Sequence, residues 1–291
     1  MSEQTKVKID AQIVKRLRQE TGAPMMECKK ALVEAEGDFD RAKQILREKG
    51  QAQAAKRAGR ATSEGIAAVV ASEDSTKVAC IVVECETDFV ARNADFKTMV
   101  GELADGLLAS VEAGAGETVE PDLSTVINGM SLQQHAEEAV AKIRENIRIV
   151  SAVVAKAADG GKIAVYNHTN TGKAASYIEY TGDDAKAAFQ VAIQTVAFPP
   201  TFLRKEDVPQ NLIDEEIKTE TQRAINEGKP ADIAGKIAQG RVNKEFFQSR
   251  VLLEQPLWTD AKKKVSDYAK AAGIEIVGYR HFAVGAGPSD G

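Results

Sequence analysis

The sequence predicts an α+β fold: a small N-terminal three-helix module followed by two related α+β subdomains, the second carrying a helical-hairpin insertion. Three observations carry this reading. Helical spacings punctuated by glycines fill the first 50 residues. Beyond them, β-branched runs pair around polar turns and give way to helical spacing. The order hairpin, helix and return strand then occurs twice. The boundaries are 1–50 for the module, 51–64 for a linker, 65–157 for the first subdomain and 158–291 for the second, with the insertion at about 211–253.

Within the module, Asp10 is placed to cap a helix in which Ile13, Val14 and Leu17 share a face, and Gly22 to end it in a left-handed conformation. Pro24 suits the first turn of a second helix that Gly37 closes. Asp38 caps a third, carrying Ala42, Ile45 and Leu46 inward and stopping at Gly50. So small a bundle has little core and reads as a docking device rather than an enzyme. Met25 and Met26 are adjacent near a helix start, where consecutive side chains point about 100° apart. Either one of them faces solvent or a partner, or both fill the small core. The alanine-rich stretch after Gly50 reads as a linker, helical in part, whose Lys56, Arg57 and Arg60 form a solvated surface or steer an acidic partner.

From Gly65 the character changes. Gly65 to Ser72 and Lys77 to Val83 form a hairpin around Glu73-Asp74-Ser75. Phe96, Met99, Val100, Leu103 and Leu107 line one face of a helix, Gly114 to Pro121 is an acidic loop, and a second helix turns Ala136, Val140, Ile143 and Ile147 inward. Ile147 to Ala155 returns as a strand. Between the first hairpin and its helix lies Cys85-Glu86-Thr87-Asp88-Phe89-Val90-Ala91-Arg92-Asn93, a turn from strand to helix. Residue type favours burial for Phe89, and periodicity leaves its direction open.

The order then repeats. Lys162 to His168 and Lys173 to Tyr180 form a hairpin, Ala185 to Ala197 a helix and Ile274 to Val284 a return strand. Phe198-Pro199-Pro200 breaks the helix. A charged helix from Asn211 to Glu227, the turn Gly228-Lys229-Pro230 and a further helix with Ile233, Ile237 and Val242 suggest an antiparallel helical hairpin, which either projects or packs on the sheet.

Composition narrows the function. A chain of 291 residues with 43% hydrophobic content supplies more than one core. A net charge of −5 argues against a general nucleic-acid coat. Cys28, Cys80 and Cys85 lack disulfide-framework or zinc spacing, so free thiols in a reducing compartment are expected. Met1 to Lys6 lacks the apolar centre of a signal peptide, and no uncharged apolar run approaches the roughly 20 residues of a membrane span, so a cytoplasmic protein is expected. There is no phosphate-binding loop, and Asp159-Gly160-Gly161-Lys162 fits a β-turn. His135, His168 and His281 occur singly, without metal-ligand spacing. No cofactor, nucleic-acid or membrane partner is expected. An enzyme reading would rest on Cys85 as nucleophile with His168, against the ordinary reading of a structural thiol.

Two stretches carry a resemblance. Thr21-Gly22-Ala23-Pro24-Met25-Met26-Glu27-Cys28-Lys29-Lys30-Ala31-Leu32 and Cys85-Glu86-Thr87-Asp88-Phe89-Val90-Ala91 match, in order and spacing, the two signatures of the bacterial elongation factor Ts family, the nucleotide-exchange factors of elongation factor Tu. Weaker similarity runs through Glu145-Asn146-Ile147, Asn167-His168, Phe202-Leu203, Asp207-Val208-Pro209, Gly228-Lys229-Pro230 and Arg280-His281-Phe282, so that nearly the whole chain is covered. The resemblance implies a ubiquitin-associated-like first module, two related core subdomains and an insertion that can mediate homodimerisation. It implies that Thr87, Asp88, Phe89 and Val90 enter the partner GTPase and help dislodge magnesium, with Asp88 and Phe89 the principal contacts. It further implies that Leu17, Met25 and Met26 dock the first module on the same partner domain, and that His168 approaches the partner's third domain. The chain departs from the family pattern at Glu84, where asparagine is usual, at Val150-Ser151, in place of an arginine pair, and at Thr169, where glycine is frequent. It also stops soon after Gly287, without the extra terminal helix of some members. The competing class is a non-exchanging adaptor that binds through its first module alone.

Overall fold

The computed structural model describes residues 9–290. Eight residues of the predicted 1–50 module, including the hexapeptide read for targeting, and Gly291 lie outside the described residues. The fold is α+β, and no helix among the described residues is long and apolar enough to cross a membrane.

The first three helices are α1 (Ala11–Thr21), α2 (Met25–Glu34) and α3 (Phe39–Arg57). Asp10 caps α1 by accepting from the Gln12 amide, and Gly22 ends it at φ +67°. Asp38 caps α3 through the Arg41 amide. Leu17, Cys28, Leu32, Ala42 and Ile45 form the small core predicted for this bundle. The sequence placed the end of the third helix at Gly50, but α3 continues seven residues beyond it, to Arg57. Gly50 is buried where α3 crosses a later helix, and a Cβ there would lie 2.9 Å from the Ala141 Cβ. The glycine therefore serves close helix approach rather than termination.

Two strands follow, β1 (Glu64–Ala71) and β2 (Lys77–Cys85), then a short helix α4 (Asp88–Arg92) and the long helix α5 (Ala94–Ser110). The predicted acidic loop contains β3 (Thr118–Val119), and a small hairpin of β4 (Val126–Ile127) and β5 (Met130–Ser131) leads into α6 (Leu132–Ile143) and β6 (Arg148–Lys156). The first sheet has the order β1-β2-β6-β3, antiparallel throughout. Val150 is left unpaired in a bulge, since Val82 pairs with Ser151 and Val83 with Ile149.

The second sheet repeats this order with β7 (Lys162–Asn167), β8 (Ala174–Thr181) and, after α7 (Ala185–Ala197), its return strand. Between α7 and that strand come α8 (Gln210–Asn226), α9 (Ala231–Arg241), one turn of π-helix, α10 (Phe247–Arg250), the short strands β9 (Pro256–Leu257) and β10 (Asp260–Lys264), and α11 (Val265–Ala271). The return strand β11 (Glu275–Ala283) and a terminal strand β12 (Ala286–Asp290) complete the order β7-β8-β11-β12. The inserted helices close on a core of their own, in which Leu212, Ile213 and Ile217 meet Val242, Phe246 and Phe247. The chain entering that unit is bonded to the chain leaving it, the Phe202 and Leu203 carbonyls accepting from the Leu252 and Leu253 amides.

The layers follow from alternation along the strands. Ala79, Ile81 and Val83 of β2 face α5 and α6 in one core, whereas Val78, Cys80 and Val82 face the other sheet in a second core with Ala175, Tyr177 and Phe282. Ile178, Tyr180 and Ile276 point away from that contact, into a third core under α7 and α11. The two sheets thus stack face to face, with helices on both outer faces. The free edge of β1 is capped from the second sheet: the Asn167 amide exchanges hydrogen bonds of 2.8 Å with both the N–H and the carbonyl of Val69, and the Gly172 carbonyl accepts from Ala67 N–H at 2.9 Å. A side-chain amide here completes the ladder as a neighbouring strand would.

Because Gly50 admits no side chain at the crossing of α3 and α6, Gly50→Leu is expected to destabilise the packing of the first three helices by about 1–3 kcal/mol. Urea unfolding followed by circular dichroism checks this, and an unchanged midpoint would mean that α3 does not pack there in solution.

Candidate functional site

The site grows from the end of β2. The apolar alternation of that strand ends at Cys85, where Glu86 and Thr87 turn the chain out of the sheet. Thr87 has extended backbone and caps α4, its hydroxyl accepting weakly from the Val90 amide at 3.4 Å. Asn93 then ends α4 and caps α5, its side chain accepting from Asp95 and Phe96 amides at 2.8 and 3.3 Å. Between these caps α4 has only five residues. Ala91 is buried and Val90 packs against the first core. Phe89, one step of about 100° from Val90, points the other way and is 84% exposed. Residue type alone predicted burial, and the structure overturns it: Phe96, Val100, Leu103 and Leu107 already occupy the space beneath the turn. Asp88 stands beside Phe89 with its carboxylate 3.3 Å from Arg92.

A brace from the junction of α6 and β6 holds this turn. One oxygen of the Glu145 carboxylate accepts from the Glu86 and Thr87 amides at 3.1 and 3.0 Å, and the other accepts from the Thr87 hydroxyl at 2.6 Å. In return, the Glu86 carboxylate accepts from the Asn146 amide at 2.6 Å and lies 3.3 Å from Arg60. The Asn146 side chain donates to the Arg60 carbonyl at 2.7 Å, so the end of the linker joins the same network. Glu84, the departure at the base of the turn, is buried and satisfied by the Thr62 hydroxyl at 2.7 Å and the Gly285 amide at 3.1 Å. Sequence reasoning found the turn but not its holder. Glu145 follows an amphipathic helix, and only the fold brings it back across 58 residues to Thr87.

The other residues implied by resemblance fall in different places. Met25 and Met26 are exposed, at 42% and 61%, which settles the open reading in favour of outward-facing side chains. Leu17 does not join them. It is 0% exposed, among Val14, Cys28 and Leu32, and so holds the bundle together and presents no surface of its own. A cleft of about 760 Å³ separates α4 from the first bundle, lined by Gly22, Val90, Phe96, Met99, Lys142 and Ile143 with Phe89 at its rim. His168 lies after β7 on the second sheet, its Nδ1 3.0 Å from the Tyr166 hydroxyl, and the Tyr166 ring meets the exposed Phe189 edge-on.

Cys85 is not set up as a nucleophile, nor His168 as its base. Burial first, and the Glu145 carboxylate second, push the Cys85 thiol up to about 12. The thiol donates to the Thr87 carbonyl at 3.2 Å, whereas His168 is engaged by Tyr166. Among the described residues no group of three or more His, Cys, Asp or Glu side chains is disposed to hold a metal ion. What the site offers is an exposed aromatic ring and a carboxylate on a fixed support.

Residues 86–286 match the family model described as elongation factor TS. The chain is 40% identical over 278 residues to the elongation factor Ts of Hydrogenobaculum sp., covering 95% of this chain and 99% of that protein. It is 38% identical over 286 residues to that of Aquifex aeolicus, covering 94% and 96%. Identity to that of Mycobacterium marinum is 39% over 276 residues, with the same coverage.

The raised Cys85 thiol generates an expectation. At pH 8 it holds about a thousandfold less thiolate than a thiol at the ordinary value of 9.0. Cys28 and Cys80, both buried, are raised as well. A disulfide reagent such as Ellman's should therefore find no reactive thiol in the folded protein and three after unfolding. Prompt labelling of Cys85 in the folded state would restore it as a nucleophile.

Proposed function

The chain belongs to the elongation factor Ts family and is a translation elongation factor, and on that premise we propose that it binds elongation factor Tu carrying GDP and promotes release of GDP and magnesium through Thr87–Val90. One observation carries the reading: Phe89 is 84% exposed on a helix that is braced at its base. A large aromatic held in water at that cost in solvation is suited to insertion into a partner.

An exchange factor makes and breaks no bond. It binds the nucleotide-free GTPase more tightly than the nucleotide-bound form, and linkage requires factor and nucleotide to weaken each other's binding by the same ratio. A thousandfold acceleration needs a barrier lower by about 4 kcal/mol. A buried aromatic hot spot contributes about 2–4 kcal/mol on truncation, so Phe89 supplies much of this and needs helpers. Asp88 meets the nucleotide domain beside it, the second of the two principal contacts through which the turn helps dislodge magnesium. Met25 and Met26 dock a ubiquitin-associated-like module on the same domain, and His168 approaches the third domain. The two sheet units act as related core subdomains that hold these contacts apart at a set spacing. A homodimer through the 211–253 insertion has the exposed Ile225 and Ile233 to draw on. The work is cytoplasmic and needs no cofactor.

A non-exchanging adaptor would use the same exposed methionines but give Phe89 no role. The two readings part on one variant. Phe89→Ala should slow stimulated GDP release from elongation factor Tu by at least about tenfold. Its melting temperature should move by less than about 2 °C, because the ring buries little in the free protein. A stopped-flow chase of fluorescent GDP reads the first quantity and differential scanning fluorimetry the second. Unchanged release rejects the wedge, and a large fall in melting temperature makes Phe89 a structural residue.

A further inference from the structure

We infer that Glu145 is a positioning residue for nucleotide exchange, one that meets no nucleotide itself and acts by fixing the direction in which α4 presents Phe89. The inference rests on the exchange reading above and extends it to a residue outside the Thr87–Val90 segment.

The argument starts from the length of α4. Five residues cannot sustain a helix in water, since nucleation fixes several residues for each early hydrogen bond. Its direction must come from its ends. At the C-terminal end Asn93 links it to α5. At the N-terminal end two amides, Glu86 N–H and Thr87 N–H, precede the helix and find their partner in one oxygen of Glu145. The other oxygen accepts the Thr87 hydroxyl proton at 2.6 Å. With that proton committed, the Thr87 hydroxyl turns its lone pairs toward the Val90 amide that it caps. Glu145 thus sets both the path of the chain into α4 and the orientation of its cap.

The placement of Glu145 is itself built. Arg144 ends α6 at φ +68°, a left-handed conformation that a non-glycine residue adopts at some cost. That reversal brings Glu145 and Asn146 back onto the end of β2, where Asn146 is buried with its amide on Glu86. Residues 86 and 145 each hold the backbone of the other's segment. Bonds to a charged carboxylate are stronger than neutral ones, and three converge here. None of the three reaches Met25, Met26 or His168, so Glu145 bears on how Phe89 is presented and not on the other docking contacts.

The test uses full-length protein and elongation factor Tu loaded with fluorescent GDP, with release rates measured against factor concentration. Glu145→Ala should lower the maximal release rate by about tenfold while the half-saturating concentration stays within about twofold, because orientation is lost and docking is kept. Glu145→Gln should recover to within about threefold: its carbonyl still accepts the two amides that set the path of the chain, and only the bond from the Thr87 hydroxyl proton is lost, because an NH₂ cannot accept it. Gln194→Ala, which breaks buried hydrogen bonds to Gln255 and Trp258 on the far core, should lower the melting temperature without lowering the maximal rate. If Glu145→Ala fails to fold, Glu145→Asp, which keeps the charge and withdraws the carboxylate by one methylene, is read in its place.

An unchanged maximal rate in Glu145→Ala overturns the inference. So does a Gln variant as slow as the Ala variant, which would make Glu145 a direct charge contact, and so does an equal slowing by Gln194→Ala, which would make the effect one of stability. Phe89→Ala run in parallel separates the two levels. If it too is without effect, the exchange reading itself fails, whereas a slow Phe89→Ala beside a normal Glu145→Ala rejects only the positioning role.

Discussion

Burial of β2 on both faces is the constraint from which the rest of the molecule follows. Its eight residues from Val78 to Cys85 are all buried, with odd-numbered apolar side chains in the core under α5 and α6 and even-numbered ones between the sheets. A strand with two buried faces needs cover on both, which requires helices on one side and the second sheet on the other. The second sheet in turn needs α7 and α11 behind it. The same constraint fixes where the chain is first free to display a side chain. So long as the chain is in β2 every side chain is committed to packing, and the first residues free to do anything else are those just past Cys85.

That placement explains why an exposed phenylalanine is stable there. The turn leaves the sheet at a point where the core beneath is already filled from α5, so an inward ring would have to displace Phe96 or Leu103. Val90 and Ala91 take what space is left. Phe89 is exposed because its neighbours are better placed to be buried, and the brace from Glu145 keeps the short helix from rotating it inward. A ring free to turn toward the core would lose part of its binding free energy to ordering when a partner arrived, and a braced one loses less.

Much of this was legible in the sequence, and the failures have physical causes. The hairpins, α5, α7 and the return strands followed from apolar periodicity, and Asp10, Gly22 and Asp38 act as the caps that were read from them. The end of α3 was misread because a glycine in a helical pattern marks either a terminus or a close crossing, and only the position of Ala141 distinguishes them. The strand β10 was invisible because Asp260-Ala261-Lys262-Lys263-Lys264 is charged along its length and pairs only with two residues of β9. Leu17 shared a helix face with Val14, which pointed to the core, and its complete burial leaves it no surface of its own for the implied partner contact. Phe89 was undecidable from periodicity, since α4 is shorter than two turns and offers no period to read.

Glu145 marks a deeper limit. Glu86 and Glu145 are separated by 59 residues, and neither is remarkable in composition or spacing. Their relation is a crossed pair of side-chain-to-backbone bonds, the Glu145 carboxylate on the Glu86 and Thr87 amides and the Glu86 carboxylate on the Asn146 amide, and local sequence patterns record side-chain types along one element rather than amide groups left over at the ends of two. Such leftovers arise wherever a strand ends and a helix begins, because the connecting amides, here those of Glu86 and Thr87, lie past the last pair of the strand ladder and before the helix. A fold that must display a side chain on a short helix has to satisfy those amides from elsewhere in the chain. The residue that does so lies outside the displayed motif, yet the direction of the motif depends on it.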